Sequence, residues 1–351
     1  MNRFIFRVES DNQGGMGHFY RCLALANILD EYQRTFLMNE YQPNLASILN
    51  TSNIKLETLN SESPFIANTN EISTYIDKKD IVILDGYQYD ESYMAVLNNI
   101  AAGLVVIDDL NKGKYFADII LNHGPHAKNA KYKSLNKTKL LLGEQYTLLR
   151  PAFYKNAGKG KVRDQVKVIT ICFGGADPKN FASKYLEALN LMDRRFQVNI
   201  ILGSSNHNPN GEYEKFNQNL IEVIIHRNIL DEKMASLLLA SDLLIATPSN
   251  IMMEACTLNI PTITQAVAKN QEPFYEFLDQ HKLATCIPEY SGNSTRSLAE
   301  LLNTTIFDKA YRKKMVSNQK KIFDGKSKLR LRNELESLAE NCGVKKKKMS
   351  G

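Results

Sequence analysis

The chain has 351 residues, with 44 Lys and Arg against 38 Asp and Glu, a formal net charge of +6 and 43% hydrophobic residues. At about 150 residues per domain this is too long for one ordinary core and suggests two. The charges are interspersed rather than gathered on a basic face with stacking aromatics, which argues against nucleic-acid binding, and no run approaches the ~18 apolar residues of a membrane span.

A modest positive balance suits small anionic ligands such as nucleotides. The start "MNRFIFRVES" is too short and too quickly polar for a signal peptide. The five cysteines, Cys22, Cys172, Cys256, Cys286 and Cys342, show no C-x-x-C spacing and read as reduced thiols of a cytoplasmic protein.

In chain order, "RFIFRV" (3–8) reads as a strand, followed by the glycine-rich "SDNQGGMG" and a helix from about His18. In that helix Phe19, Cys22, Leu23, Ala26 and Leu29 fall at helical spacing. "IVILDGY" (81–87), "LVVIDDL" (104–110), "DIILNH" (118–123) and "KLLLGEQY" (139–146) are apolar on nearly every residue, as strands buried on both faces of a parallel sheet are. The stretch 39–75 reads as mostly surface. "AGKGKVRDQ" (157–165) looks like a linker, and the pattern then restarts with "VKVITICF", "QVNIILG", "VIIHRNI", "DLLIA" and "IPTITQA" alternating with helices. The expected organisation is therefore α/β: two doubly wound Rossmann-like domains, 1–156 and 157–340, facing a cleft, and a basic tail at 341–351 that contains "KKKK". Open α/β sheets bind ligands beyond the carboxyl ends of their strands, so polar residues there are the candidates.

His18 stands where a strand end, a glycine-rich loop and a helix N-terminus meet. Glycines allow close backbone approach, and helix amides attract anions. The positive end of the helix disfavours imidazolium, which suits a neutral base. The loop is not a dinucleotide fingerprint, because Tyr20 occupies the place of the third glycine, and no P-loop Lys follows. His123 and His126 in "NHGPH" lack a third metal ligand and flank a turn, so no metal is expected there. Asp108 and Asp109, adjacent at a strand end, point to opposite faces and suggest no acid pair.

In the second half, Gly174 and Gly175 open an anion-friendly turn before Asp177, a plausible helix cap with Pro178 at the first helical position. Thr247 and Pro248 are expected to begin a helix straight after a strand. Glu254 is the lone charge in the apolar run that follows. A buried carboxylate needs a partner, either ribose hydroxyls or an internal Arg or Lys. "AKNQEP" (268–273) places Asn270 and Gln271 between a strand and a helix, where amides could hold sugar groups or merely cap a turn.

"FRVESDNQGGMGHFYRCLALANIL" resembles the opening of the UDP-sugar hydrolases of the pseudaminic acid pathway. The resemblance continues through "ILDGYQYD", "VIDDL", "ADIILN", "LLGEQYTLLRPAF", "FGGADPKN" and "DLLIATPSNIMMEAC" to "AKNQ", across about residues 4–280. It implies a GT-B-like fold and metal-independent hydrolysis of UDP-2,4-diacetamido-2,4,6-trideoxy-β-L-altropyranose, with no cofactor. His18 would be the catalytic base. Arg7, Gly15, Gly17 and Arg21 would belong to the substrate site, and Tyr87, Asn270 and Gln271 would meet the sugar. Glu254 would hold the ribose, and Gly174, Gly175, Thr247, Ser249 and Asn250 would face the diphosphate. Three positions depart from the family pattern: Glu9 replaces an Asp, Gly14 an aliphatic residue, and Thr247-Pro248-Ser249 a small or Gly-Gly loop. The exact sugar is thus left open, as is the oligomeric state. A UDP-sugar glycosyltransferase of the same fold and a non-catalytic nucleotide-sugar-binding protein are the competing readings. The partner in each case is a small-molecule UDP-sugar, not nucleic acid or membrane.

Overall fold

Apolar runs punctuated by glycine and acidic residues pair as parallel strands, and the amphipathic segments between them cross over as helices. The computed structural model describes residues 3–9, 17–40, 42–59, 69–174, 177, 179–203, 206, 208–217, 220–288 and 294–344. The chain forms two compact units: residues 1–148 with 326–351, and residues 149–325. Composition suggested a break after residue 156. Instead, residues 149–156 pack with the second unit, where Leu149, Ala152 and Phe153 join its core, and the C-terminal segment returns to the first.

The first unit contains β1 (Arg3–Val8), α1 (Gly17–Ile28), β2 (Gln33–Met38), α2 (Pro43–Thr51), β3 (Lys55–Thr58), α3 (Thr69–Tyr75), β4 (Ile81–Asp85), α4 (Glu91–Ile100), β5 (Gly103–Ile107), β6 (Lys114–Tyr115), β7 (Ile119–Asn122), β8 (Lys133–Ser134) and β9 (Lys139–Leu142). Its parallel sheet has the order β3-β2-β1-β4-β5-β7-β9, with β6 and β8 paired apart. α2, β3 and α3 occupy the stretch expected to be largely surface, and Leu45, Leu49, Ile54 and Ile72 there are buried. The register aligns Val8 with Asp85, Asp85 with Ile107, and Ile107 with Leu121. Side chains at aligned positions share a face, and the next residue on each strand faces the other way. Leu84, Val106 and Ile120 pack with Ile72, Met94 and Leu97 of the α3/α4 side. Phe6 and Phe36 face α1, whose Phe19 ring lies 5.5 Å from that of Phe36. In α1 the buried stripe runs through Phe19, Cys22, Leu25, Ala26 and Ile28, while Leu23, expected inside, is only half-buried.

The second unit contains α5 (Pro151–Lys155), β10 (Val168–Cys172), α6 (Phe181–Asn190), β11 (Phe196–Leu202), α7 (Gly211–Glu214), β12 (Ile221–Arg227), α8 (Asp231–Ala240), β13 (Leu243–Ala246), α9 (Asn250–Leu258), β14 (Thr262–Gln265), α10 (Glu272–Gln280), β15 (Thr285–Ile287), α11 (Thr295–Phe307) and α12 (Lys309–Ile322). Its parallel sheet runs β12-β11-β10-β13-β14-β15, with apolar clusters on both faces. The last helix, α13 (Ser327–Asn341), packs on the first unit, where Arg332 donates to the Ile28 carbonyl at the end of α1. No described helix is long and apolar enough to cross a membrane.

Candidate functional site

In the first unit the carboxyl ends of adjacent strands bring four polar residues to one face. Asp85 ends β4, and Asp109 lies two residues past the end of β5 on the same face. α1 starts at Gly17 and presents His18 and, one turn on, Arg21 to both carboxylates. His18 Nδ1 lies 2.8 Å from Asp85 Oδ1 and 2.9 Å from Arg21 Nη2. A carboxylate only accepts and a guanidinium only donates, so the two neighbours make opposite demands on Nδ1. Arg21 Nη2 already donates to Asp85 Oδ1. We therefore assign the Nδ1 proton to the His18–Asp85 bond, which leaves the free lone pair on Nε2.

Arg21 bridges the two carboxylates. Its Nε and Nη2 donate to the two oxygens of Asp85 as a fork, and its Nη1 donates to Asp109 Oδ2 at 2.8 Å. Burial acts to raise the Asp109 carboxyl, but the charge and hydrogen bond of Arg21 and the Tyr87 hydroxyl outweigh it and hold Asp109 below the usual carboxylate range. Tyr87 donates to Asp109 Oδ2 at 3.0 Å, and its ring meets the His18 ring edge-on at 4.5 Å. Loss of solvent around its hydroxyl, then the charge of Asp109, pushes the Tyr87 phenol up to about 12, although the residue as a whole is 58% exposed. Such a ring offers an open platform beside the imidazole.

Asp108, next to Asp109, turns to the opposite face as expected. It accepts from the Tyr115 and Tyr132 hydroxyls and from the Asn111 amide. Tyr132 in turn accepts from Asn122 Nδ2 at 2.9 Å. This network fixes the strand end from which Asp109 projects.

Arg7 does not join the site. It alternates to the α4 face of the sheet and is fully buried there. Its Nε donates to the Tyr93 hydroxyl at 2.9 Å, Nη2 to Asn39 Oδ1 at 2.7 Å, and Nη1 to Glu9 and to the Leu37 carbonyl. Four of its five N–H donors are used inside the protein, which makes Arg7 an anchor between β1, β2 and α4. Glu9 shares that role, since it also accepts from the Asn39 amide. Gly17 is exposed, and a Cβ there would meet nothing within 4 Å. Gly14 and Gly15 lie outside the described residues.

In the second unit Glu254 is buried in α9 and forms a bidentate pair with Arg150, Nε to Oε1 at 2.7 Å and Nη2 to Oε2 at 2.8 Å. The internal ion pair is thus present. Each carboxylate oxygen keeps a second lone pair, so the pair is compatible with hydroxyl binding. α9 begins at Asn250 with Ser249 in the cap position, later than the expected start at Thr247 and Pro248. Thr247 and Ser249 hydroxyls lie 3.2 Å apart at this turn, and Asn250 is exposed. Gly174 has φ +84° and open space around it, a conformation that favours glycine. Asp177 caps α6 from further away than expected: its two oxygens accept from the Phe181 and Ala182 amides at 2.9 Å, and the helix starts at Phe181. Gly175 and Pro178 lie outside the described residues, as does the Lys-rich 345–348. Gln271 Oε1 accepts from the Val267 amide at 2.9 Å and so closes its own turn, while Asn270 beside it is exposed.

Among the described residues no group of three or more His, Cys, Asp or Glu could hold a metal ion. Sequence reasoning passed over Asp85 and Arg150 and set Asp109 aside. The available signal was position: Asp85 and Asp109 are each among the first polar residues after an apolar strand.

No family model matches the chain. It is 31% identical over 281 residues to an uncharacterized protein of Methanocaldococcus jannaschii, a match that takes in 75% of this chain and 55% of that protein, so the chain spans about half of that relative's length. It is 28% identical over 278 residues to the UDP-2,4-diacetamido-2,4,6-trideoxy-β-L-altropyranose hydrolase of Campylobacter jejuni, covering 77% of this chain and 93% of that enzyme. Among solved structures, MurG of Acinetobacter baumannii superposes with a TM-score of 0.68 at 14% identity, covering 95% and 99% of the two chains. That likeness, with the two parallel sheets, makes the fold GT-B-like, built of two Rossmann-like units.

Proposed function

We propose that the protein hydrolyses the anomeric C–O bond of UDP-2,4-diacetamido-2,4,6-trideoxy-β-L-altropyranose, or of a close UDP-diacetamido sugar, to UDP and free sugar, as a step towards a nonulosonic acid. The observation that carries this reading is the His18–Asp85 pair, an imidazole oriented by a buried carboxylate with Nε2 left as an acceptor. The likeness to the Campylobacter jejuni hydrolase supports it.

In this reading Nε2 of His18 takes a proton from water as the water oxygen bonds to the anomeric carbon. The C–O bond to the diphosphate breaks with its electron pair leaving on UDP, and the imidazolium then returns its proton to solvent. Asp85 stabilises the imidazolium, and base catalysis of this kind contributes roughly 10²–10⁴-fold. Tyr87, Asn270 and Gln271 are assigned to the sugar and Glu254 to the ribose. Gly174, Gly175, Thr247, Ser249 and Asn250 are assigned to the diphosphate, and Gly15, Gly17 and Arg21 to substrate binding. No metal or cofactor enters the scheme; backbone amides at helix starts would meet the charge on the leaving diphosphate.

The test is time-resolved NMR of the UDP-sugar with wild type and His18→Ala, with EDTA present. Release of UDP and free sugar by wild type alone is expected. Intact substrate in both samples overturns the reaction, and turnover only on addition of an alcohol acceptor would make the protein a glycosyltransferase. Binding without turnover in either case would make it a nucleotide-sugar-binding protein.

A further inference from the structure

His123 stands in an unusual position. It directly follows β7 and is only 7% exposed. Its Nδ1 is buried with no hydrogen-bond partner. A buried polar atom left unpaired costs about 1–3 kcal/mol, and native proteins tolerate such an atom mainly where a ligand or water completes it.

The register shows what lies beside it. Ile107 of β5 aligns with Leu121 of β7, and the Asp108 amide donates to the Leu121 carbonyl at 3.0 Å, so the ladder continues past the strand end. Extending that register by two residues sets Asp109 beside His123. The intervening Asp108 and Asn122 are joined through Tyr132 on the opposite face. By alternation Asp109 and His123 share the face that holds Asp85 and α1. The electrostatics agree: burial first, then the Arg21 charge, disfavours the cation on His123, while Asp109 and Asp85 act in the opposite direction.

We propose that His123 is a second ligand-contacting imidazole of this site, hydrogen-bonding an uncharged polar group of the sugar, an acetamido amide or a hydroxyl. This rests on the UDP-sugar reading above. The charge balance selects the class of group. Asp85 and Asp109 against Arg21 give two negative charges to one positive, so the surroundings repel a phosphate. A neutral imidazole, with one donor and one acceptor, complements an amide or a hydroxyl equally well.

The experiment uses the full chain carrying His18→Asn, so that substrate survives, with and without His123→Gln. Binding of the UDP-diacetamido sugar and of UDP is measured by calorimetry, and ¹⁵N-histidine spectra follow the ring nitrogens. The expected result is a loss of about tenfold in UDP-sugar affinity on His123→Gln, unchanged UDP affinity, and a His123 ring signal that moves with UDP-sugar but not with UDP. Equal weakening for both ligands, or no weakening, overturns the proposal while leaving the UDP-sugar reading intact. Failure of the UDP-sugar to bind the His18→Asn protein at all overturns both.

Discussion

At the scale of single residues, the His18–Asp85–Arg21 cluster explains why a base can be held in place so near a buried charge. Asp85 is fully buried, and its three side-chain partners, His18, Arg21 and the Cys22 thiol, all come from α1. Asp85→Asn keeps the shape but offers Nδ1 an amide that can also donate, so the tautomer with Nε2 free is no longer enforced. The expected outcome is a fall in kcat of roughly 10²–10⁴-fold with KM nearly unchanged, read from UDP release at saturating substrate. A second residue-scale prediction concerns His123. Burial, helped by Arg21, lowers its pKa to about 4 from the ordinary 6.5. The unfolded chain therefore binds this proton at a higher pH than the folded protein does. The stabilising contribution is complete above about pH 6.5 and is lost progressively as pH falls towards 4, by about 3 kcal/mol in all. Urea denaturation at pH 7 and pH 4.5 should show a smaller acid loss in His123→Gln than in wild type; equal losses would mean the imidazole is protonated in the folded protein. These two carboxylates and one histidine also mark the limit of sequence reading. His18 was legible because strand, glycines and helix start coincide locally. Asp85 and Asp109 were not, because their proximity to His18 depends on the strand order β1-β4-β5-β7, which no local pattern encodes.

At the scale of elements, legibility followed hydrophobic content. β1, β4, β5, β7, β10, β11, β13 and β14 are apolar enough to announce themselves. β2 begins Gln33-Arg34-Thr35 and hid its strand character, although Arg34 is buried there and donates to the carbonyls of Ala26, Ser52 and Asn53. β3 lies at the sheet edge with half-exposed residues and gave no alternation signal. In the second unit the lone charge of α9 was legible as needing a partner, but the partner, Arg150, is 104 positions away in the chain. That pair clamps the start of α5 to α9, with the guanidinium also 4.9 Å over the Phe153 ring. Arg150→Ala leaves the buried Glu254 carboxylate uncompensated, which costs about 3–5 kcal/mol. The midpoint of thermal unfolding of the second unit should fall by about 10 °C, and the double variant Arg150→Met/Glu254→Met should recover most of that loss in calorimetry. A midpoint unchanged in Arg150→Ala would show that the pair contributes no net stability.

At the scale of the whole molecule, the decisive fact is that the chain crosses between units twice, near residues 149 and 326. The second unit is continuous in sequence, and the first is closed by the C-terminal helix. Leu331, Leu335 and Ala339 of α13 are buried. Gly103 at the start of β5 lets α13 approach closely, since a Cβ there would meet Leu338 and Cys342 at 3.4 Å. Arg332 adds a charge where α1 ends, bonding the Ile28 carbonyl and pairing with Asp30 and Glu31; a cation at a helix C-terminus is favourable. Burial of the two leucines alone is worth about 3–6 kcal/mol, a large part of the stability of a domain of this size. Residues 149–325 expressed alone should therefore unfold in urea as a single sigmoidal transition, whereas residues 1–148 alone should lack near-ultraviolet circular dichroism. Adding a synthetic peptide of residues 326–344 should restore that signal. A native spectrum from 1–148 without the peptide would show that the parallel sheet and its own helices suffice, and that α13 only covers a surface already formed.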